Sequence, residues 1–230
     1  MFRGRQPCLV AIEVVSNFIL LEKFTQDRKA ETWKQEINAR LSGLDVKVDQ
    51  VVSDLGTGIT ACARELGAQH SPDLFHGQQE LSKAVSGALA IQKRAFEKEL
   101  KEAEERAQKA IARHGKDSEK AKRAIGIRNL RQHGLEQRTE RQEAARMAIK
   151  AIGTLYHPID LKTGKLQTVE AIDQGFDKQL KGLGEIAREA QLSPSCFARL
   201  EKASRAFDGM LSYMKMILAV LAAYVDALQL

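Results

Sequence analysis

One carboxylate stands where an apolar stretch of the sequence ends and a glycine-containing stretch begins. Asp54 follows Val51-Val52-Ser53 and precedes the segment 55–58 (LGTG). Ligands in α/β sheets bind at the carboxyl ends of strands, and Mg²⁺ prefers carboxylate oxygens. Asp54 is therefore a candidate metal ligand, although an Asp at this position is also a common turn former or helix cap. The glycines match neither phosphate-loop pattern, GxxxxGK[ST] or GxGxxG.

An acid and an imidazole lie three residues apart further along the chain. Asp73 and His76 belong to the segment 71–76 (SPDLFH), and a spacing of three puts two side chains on one helix face. They are candidate accessory site residues, and the competing interpretation is a helix N-terminal acid beside a surface histidine. The other histidines lack the HExxH spacing of a metal site, and no GxSxG motif supports acyl transfer.

Positive charge is concentrated in one segment of the chain. Residues 93–150 hold 17 Lys or Arg against 10 Asp or Glu, a net charge of +7, whereas the remainder carries −1. One basic element on a neutral body favours a nucleic-acid partner, although a solvated helical face gives the same pattern. The candidate DNA-binding residues are six arginines, Arg123, Arg128, Arg131, Arg138, Arg141 and Arg146.

Length and composition indicate a soluble globular protein. The 230 residues are 43% hydrophobic and suffice for one large domain or two small ones. Three cysteines without CxxC spacing favour a reducing compartment. The most apolar stretch, 217–225, is shorter than a membrane span, and no secretory signal is evident. We therefore expect a cytoplasmic protein with no membrane partner.

The N-terminal part of the sequence predicts strands and helices in the order β-β-α-β-α. Two strand-like runs, 8–15 and 18–24, predict an antiparallel hairpin, and 28–41 predicts a helix. The alternating valines within 46–52 predict a third strand, and 59–66 a second helix. This order is that of a small α/β layer.

The remainder predicts helices. From Pro72 onward helix formers dominate for about 85 residues, with weak breaks near Gly115, Gly126 and Gly134, as in a long helical hairpin. Two further helices are predicted over 169–190 and 195–228. A long arm of this kind also suits a homo-oligomer or a coiled-coil interaction protein, which is the non-enzymatic alternative.

Several segments together resemble the core of bacterial insertion-sequence transposases of the DDE class. They are 2–13 (FRGRQPCLVAIE), 16–22 (SNFILLE), 32–33 (TW), 51–54 (VVSD) and 73–76 (DLFH). In that family three separated acids bind two divalent metal ions on an RNase H-like fold, and a helical insertion separates the second acid from the third. The resemblance implies that Asp54 is the second acid, Mg²⁺ or Mn²⁺ the cofactor and DNA the partner.

The sequence departs from the family's pattern at two of its three acids. The family's first acid lies on a strand before the FRGRQP-like segment, where this sequence begins at Met1. The third acid, a Glu on a helix after the insertion, has only geometric candidates here, Glu201 and Asp208. We therefore expect a transposase or a fragment of one, whose intact parent performs two-metal strand cleavage and transfer but which cleaves little or no DNA by itself.

The expected fold class is α+β, with an incomplete RNase H-like β-β-α-β-α half followed by a long, mostly α-helical half. The expected domains are a partial catalytic core over 1–75, a basic helical arm over 76–157 and C-terminal helices packing on the core over 158–230.

Overall fold

The protein is mixed α and β but mostly helical. A computed structural model describes residues 6–228, and about 70% of the chain is helix. The α+β class is therefore confirmed at this level. The backbone forms two compact units, Met1–His76 with Ala206–Leu230 and Gly77–Arg205.

Residues 6–228 contain four strands, β1 to β4, and all of them lie in the first unit. Its elements are β1 (Cys8–Ile12), β2 (Ile19–Phe24), α1 (Ala30–Leu41), β3 (Gln50–Ser53), α2 (Thr57–Glu65) and β4 (Gln69–Pro72). The predicted hairpin and both helices are confirmed, and the third strand begins later than predicted. The strand β4 is an addition, because its sequence QHSP lacks the β-branched and aromatic residues typical of strands.

The four strands form two separate two-stranded sheets. The strands β1 and β2 pair antiparallel, with Cys8 opposite Phe24. The strands β3 and β4 pair parallel, with Gln50 opposite Gln69 and Ser53 opposite Pro72. An RNase H-like core joins its strands in one sheet, so this finer expectation is not confirmed.

A small apolar core holds the first unit together. Leu9 and Leu21 lie on one face of the β1–β2 hairpin and form a buried cluster with Ile37 of α1 and Cys62 of α2. Burying each large aliphatic side chain contributes about 1.5–3 kcal/mol. The helix α2 also approaches the chain before α1 closely, since a Cβ on Gly58 would lie 2.0 Å from the carbonyl oxygen of Arg28.

Long helices make up the rest of the chain. They are α3 (Leu74–Leu81), a π-helical turn (Ser82–Ser86), α4 (Gly87–His114), α5 (Glu119–Leu155), α6 (Val169–Glu189) and α7 (Pro194–Leu228). Gly115, with φ +79°, follows α4, and Ser118 caps α5 by accepting a hydrogen bond from the Ala121 amide at 3.2 Å. The predicted helical hairpin and its break at Gly115 are confirmed. The breaks at Gly126 and Gly134 are wrong, because α5 is continuous through both.

Small residues line the seam within the helical hairpin. Ala103 and Ala107 of α4 and Ala121 and Ala145 of α5 are buried. Larger side chains fill the rest of the second unit's core, including Leu89, Ile149, Ile152, Ile172, Phe176 and Leu183. Alanines in the seam let the α4 and α5 backbones approach each other, so the hairpin is a packed pair of helices.

The C-terminal helix is long and apolar. By length and composition α7 qualifies as a membrane-crossing helix, with a mean hydropathy of 1.6 over its most apolar 18 residues. One such helix is weak evidence for a membrane span, and 11% of that window is buried within the protein. The cytoplasmic location without a membrane partner stays a prediction.

Candidate functional site

The parallel pair β3–β4 brings Asp54 and Asp73 to the same edge of its sheet. Ser53 and Pro72 are opposite each other, and the two aspartates are the next residues of their strands. The ladder continues beyond this pair, because the Asp73 amide donates to the Ser53 carbonyl oxygen at 3.1 Å. Neighbouring strands lie about 4.8 Å apart, so the backbones of the two aspartates are adjacent.

The Asp54 carboxylate is exposed and closes a tight turn. Its Oδ1 accepts a hydrogen bond from the Gly56 amide at 3.1 Å. A Cβ on Gly56 would lie 2.8 Å from the same oxygen, so a larger residue there would displace the exposed carboxylate from this hydrogen bond. The turn-forming interpretation of Asp54 is thus present in the structure, and its role as a metal ligand stays a prediction.

Asp73 and His76 form a compact acid–imidazole pair at the start of α3. Oδ1 of Asp73 accepts a hydrogen bond from the His76 amide at 2.8 Å, and Oδ2 lies 2.8 Å from His76 Nδ1. The exposed Phe75 ring packs edge-on to the imidazole, with 5.3 Å between ring centroids. Asp73 therefore caps a helix beside a histidine, and its accessory role stays a prediction.

A second imidazole, which no sequence motif marks, lies beside this edge. His70 of β4 places Nε2 2.9 Å from Ser53 Oγ, and that hydroxyl donates to the Asp54 carbonyl oxygen at 2.7 Å. With its hydroxyl proton directed to the Asp54 carbonyl, Ser53 Oγ can accept a hydrogen bond from His70 in the tautomer that carries a proton on Nε2. Burial lowers the pKa of His70, an effect that the Asp54 charge opposes.

The carboxylates of residues 6–228 do not fit the three-acid, two-metal site that the resemblance implies. No group of three or more His, Cys, Asp or Glu in this range is placed to hold a metal ion. Glu201 pairs with Arg205 on α7, with 3.7 Å between the charged atoms, and Asp208 is exposed. Of the two aspartates at the sheet edge, Asp73 is engaged with His76 and Asp54 is exposed.

Asp54 borders a cavity of about 610 Å³ in the first unit. Two cations, Arg28 and Lys29, line the same cavity, together with the first turn of α2. Helix N-termini carry partial positive charge, so the cavity places one carboxylate among positive groups. Arg28 and Lys29 belong to no sequence motif, so no local pattern marks them as site residues.

The structure divides the six candidate arginines into two groups. Arg131, Arg141 and Arg146 lie near acids, with 3.3 Å to Glu99, 3.7 Å to Glu189 and 2.8 Å to Glu143 respectively. The Arg138 guanidinium lies over the Phe96 ring, 3.2 Å from its centroid, and burial lowers its pKa. Arg123 and Arg128 are exposed, and Arg128 donates to the Asn129 side chain. The cations least engaged with other side chains thus lie near the tip of the hairpin.

The hairpin tip has a net charge equal to that of the whole chain, which is +6. Residues 106–128 hold eight Lys or Arg and two Asp or Glu, a net charge of +6. Arg106 of α4 and Lys120 and Arg123 of α5 line one groove, whose floor includes Ala103 and Ile127. Cations from both helices therefore converge on one surface, which we call the basic tip (residues 106–128).

Comparison of the chain with protein-family models, with curated proteins and with solved structures gives no significant match.

Proposed function

We propose that the chain is a DNA-binding protein of the DDE transposase class, a transposase or a fragment of one, whose helical hairpin holds DNA phosphates. The observation that carries the proposal is the net charge of +6 within the basic tip. Duplex DNA presents one negative charge per about 1.7 Å of axis, and neutralising these charges releases counterions. A compact positive surface on a long arm suits such a polyanion.

The geometry of the tip supports contacts to several phosphates at once. Arg106, Lys120 and Arg123 extend from two antiparallel helices into the same groove. The 28 residues of α4 span about 42 Å at 1.5 Å per residue, which carries the tip well away from the base of the hairpin. Such a surface reads phosphate positions and not base sequence.

The proposal is tested by DNA affinity as a function of salt. We expect the full chain to bind a 30-base-pair duplex in fluorescence anisotropy, with log K falling by about 0.9 for each phosphate contact per unit of log salt. Replacing Lys120 and Arg123 by Ala should lower the slope by about 1.8. Arg146→Ala is the matched control, because Arg146 already pairs with Glu143 and lies outside the basic tip. An affinity that is independent of salt would contradict the proposal. So would an equal loss of affinity in the double variant and in Arg146→Ala.

Strand cleavage is a separate part of the proposal. We expect little or no cleavage or joining of DNA by this chain with Mg²⁺ or Mn²⁺, because residues 6–228 bring no three acids together as the family's chemistry needs. Asp54→Ala is the control. If the chain cuts DNA and the variant does not, Asp54 is catalytic and the expectation of an inactive chain is wrong.

A second candidate function is a non-enzymatic interaction protein whose arms associate. Two large apolar side chains on α5 favour this function, because they are open to solvent and available to a partner. Ile127 is 54% exposed and Leu130 is 66% exposed. Light scattering of the full chain and of a Leu130→Glu variant discriminates between the two. A dimer that dissociates in the variant, combined with no DNA binding, supports the interaction protein. A monomer that binds DNA supports the transposase-class protein.

A further inference from the structure

One face of the C-terminal helix is lined by alanines and bounded by two opposite charges. Ala219, Ala222 and Ala223 of α7 are exposed and share an arc of about 100° around the helix axis. Lys215 precedes them and Asp226 follows them, and both are exposed. From Lys215 to Asp226 the helix makes about three full turns, so the two charges lie on the same face as the alanines. We call these five residues the alanine face.

The alanine face is not the face that packs within the first unit. Met210, Met214 and Leu218 are buried and follow one another at a spacing of four residues. They lie about 130° around the helix from the centre of the alanine face. The helix is fixed at this level by β3, because the Gln50 side chain donates to the Gly209 carbonyl oxygen at 3.1 Å. The contacts that hold α7 therefore leave the alanine face open to solvent.

The two charges of the alanine face have no partner of opposite sign. Lys215 and Asp226 are the charged residues of the segment 209–228, and neither forms an ion pair within residues 6–228. They are separated by about 16 Å along the helix at 1.5 Å per residue, which is too far for them to pair with each other. The face thus offers one unpaired cation and one unpaired anion at opposite ends of an uncharged stretch.

Such a face is complementary to a second copy of itself in one orientation. In an antiparallel pair related by a two-fold axis, Lys215 of each copy lies beside Asp226 of the other, and Ala219 lies opposite Ala222. In a parallel pair, like charges would meet at both ends, which is unfavourable. Alanines at the contact also let two helix axes approach to about 8 Å, the short end of the range for packed helices.

We propose that α7 is a dimerisation element, along whose alanine face two copies of this chain associate antiparallel with two Lys215–Asp226 ion pairs. The face is short and its side chains are small, so we expect a dimer that dissociates in the micromolar range. The helix is also apolar enough for a membrane span. A bilayer would bury the Asp226 carboxylate without a partner, however, whereas a second copy pairs it. The inference depends neither on DNA binding nor on the helical hairpin.

The experiment measures the dimer dissociation constant of the full chain by sedimentation equilibrium at low salt. We expect Lys215→Asp and Asp226→Lys each to weaken dimerisation at least tenfold, because each reversal sets like charges against each other at both ends of the face. The double variant exchanges the two charges and restores both pairs, so we expect its dissociation constant to lie within about threefold of the wild-type value.

Asp45→Lys is the matched control, because it makes the same change of charge at an exposed residue of the first unit outside α7. We expect it to leave dimerisation unchanged. Circular dichroism checks that each variant keeps the helix content of the wild-type chain.

Four results would overturn the proposal. One is a chain that stays monomeric even at about 300 µM, well above a micromolar dissociation constant. Another is a dimer that the single reversals do not weaken or that the double variant does not restore. A dimer that is lost in Leu130→Glu and does not respond to the reversals would assign the association to the helical hairpin. A monomer that co-sediments with phosphatidylcholine–phosphatidylglycerol vesicles would show that α7 binds a bilayer instead.

Discussion

The two units of this chain satisfy the hydrogen-bonding groups of their backbones in different ways. In the second unit, α4 and α5 satisfy their own hydrogen bonds, and buried alanines fill the seam between them. In the first unit, four strands form two separate pairs, and cavities of about 610 and 640 Å³ adjoin them. A helix completes its hydrogen bonds within one segment, whereas a strand depends on a neighbour that must come from elsewhere in the chain. The helical unit is therefore the more self-contained of the two.

The largest expected effect tests how tightly the first unit is packed. Gly58→Ala should lower the free energy of unfolding by about 1–3 kcal/mol, since the new Cβ would meet the Arg28 carbonyl at 2.0 Å and backbone cannot move aside cheaply. Trp33 is the single tryptophan and lies in this unit, so its fluorescence during urea unfolding reports the change. An unaltered fluorescence midpoint would mean that α2 is packed more loosely than described.

The next effect tests the packing of the helical hairpin. Phe96→Leu should destabilise the second unit by about 1 kcal/mol, because the ring lies under the Arg138 guanidinium. The loss should appear in far-ultraviolet circular dichroism, which follows the helices. Phe75→Leu is the matched control, since that ring is 66% exposed. Equal losses in the two variants would rule out a special role for the Phe96–Arg138 contact.

A smaller change in stability, of opposite sign, is expected for a glycine in the helical hairpin. Gly126→Ala should raise the stability of the hairpin by about 0.5–1 kcal/mol, because Gly126 lies within α5 and an added Cβ meets nothing within 4 Å. The same chemical change is thus expected to destabilise one unit at Gly58 and stabilise the other at Gly126. A loss of helix stability would show that α5 bends or opens at this residue.

The smallest effect concerns the pH dependence of the first unit. Burial lowers the pKa of His70 in the folded protein, so the unfolded chain binds a proton more readily. The free energy of unfolding should therefore fall as pH decreases from 7.5 to 5.5, through the ordinary range of histidine. His70→Gln should flatten this part of the profile, measured by Trp33 fluorescence. Parallel profiles for the two proteins would assign the dependence to another group.

Sequence patterns predict the helical unit well because its signals are local. The apolar spacing along α4, the Gly115 break and the Ser118 cap all act within a few residues. Gly126 and Gly134 mislead, since one glycine costs a helix only about 1 kcal/mol and 37 residues of α5 outweigh it. At Gly134 the missing side chain also leaves room for Phe96, whose ring carbon an added Cβ would meet at 2.8 Å.

The candidate site at the sheet edge was predictable only in part. Asp54, Asp73 and His76 stand out by residue type and spacing. The adjacency of the two aspartates depends on β4, whose polar sequence QHSP resembles a turn and becomes a strand only through its pairing with β3. His70 lies on that unrecognised strand, so its contact with Ser53 has no local signal.

The π-helical turn at Ser82–Ser86 has a mechanical consequence for the arm that follows it. A π-helical turn interrupts the regular hydrogen bonding of a helix, and this one immediately precedes α4. With a lever of about 42 Å, a tilt of about 10° at this turn would swing the far end by about 7 Å. Small angular changes near residue 84 are thus amplified into displacements of several ångströms at the end of the arm.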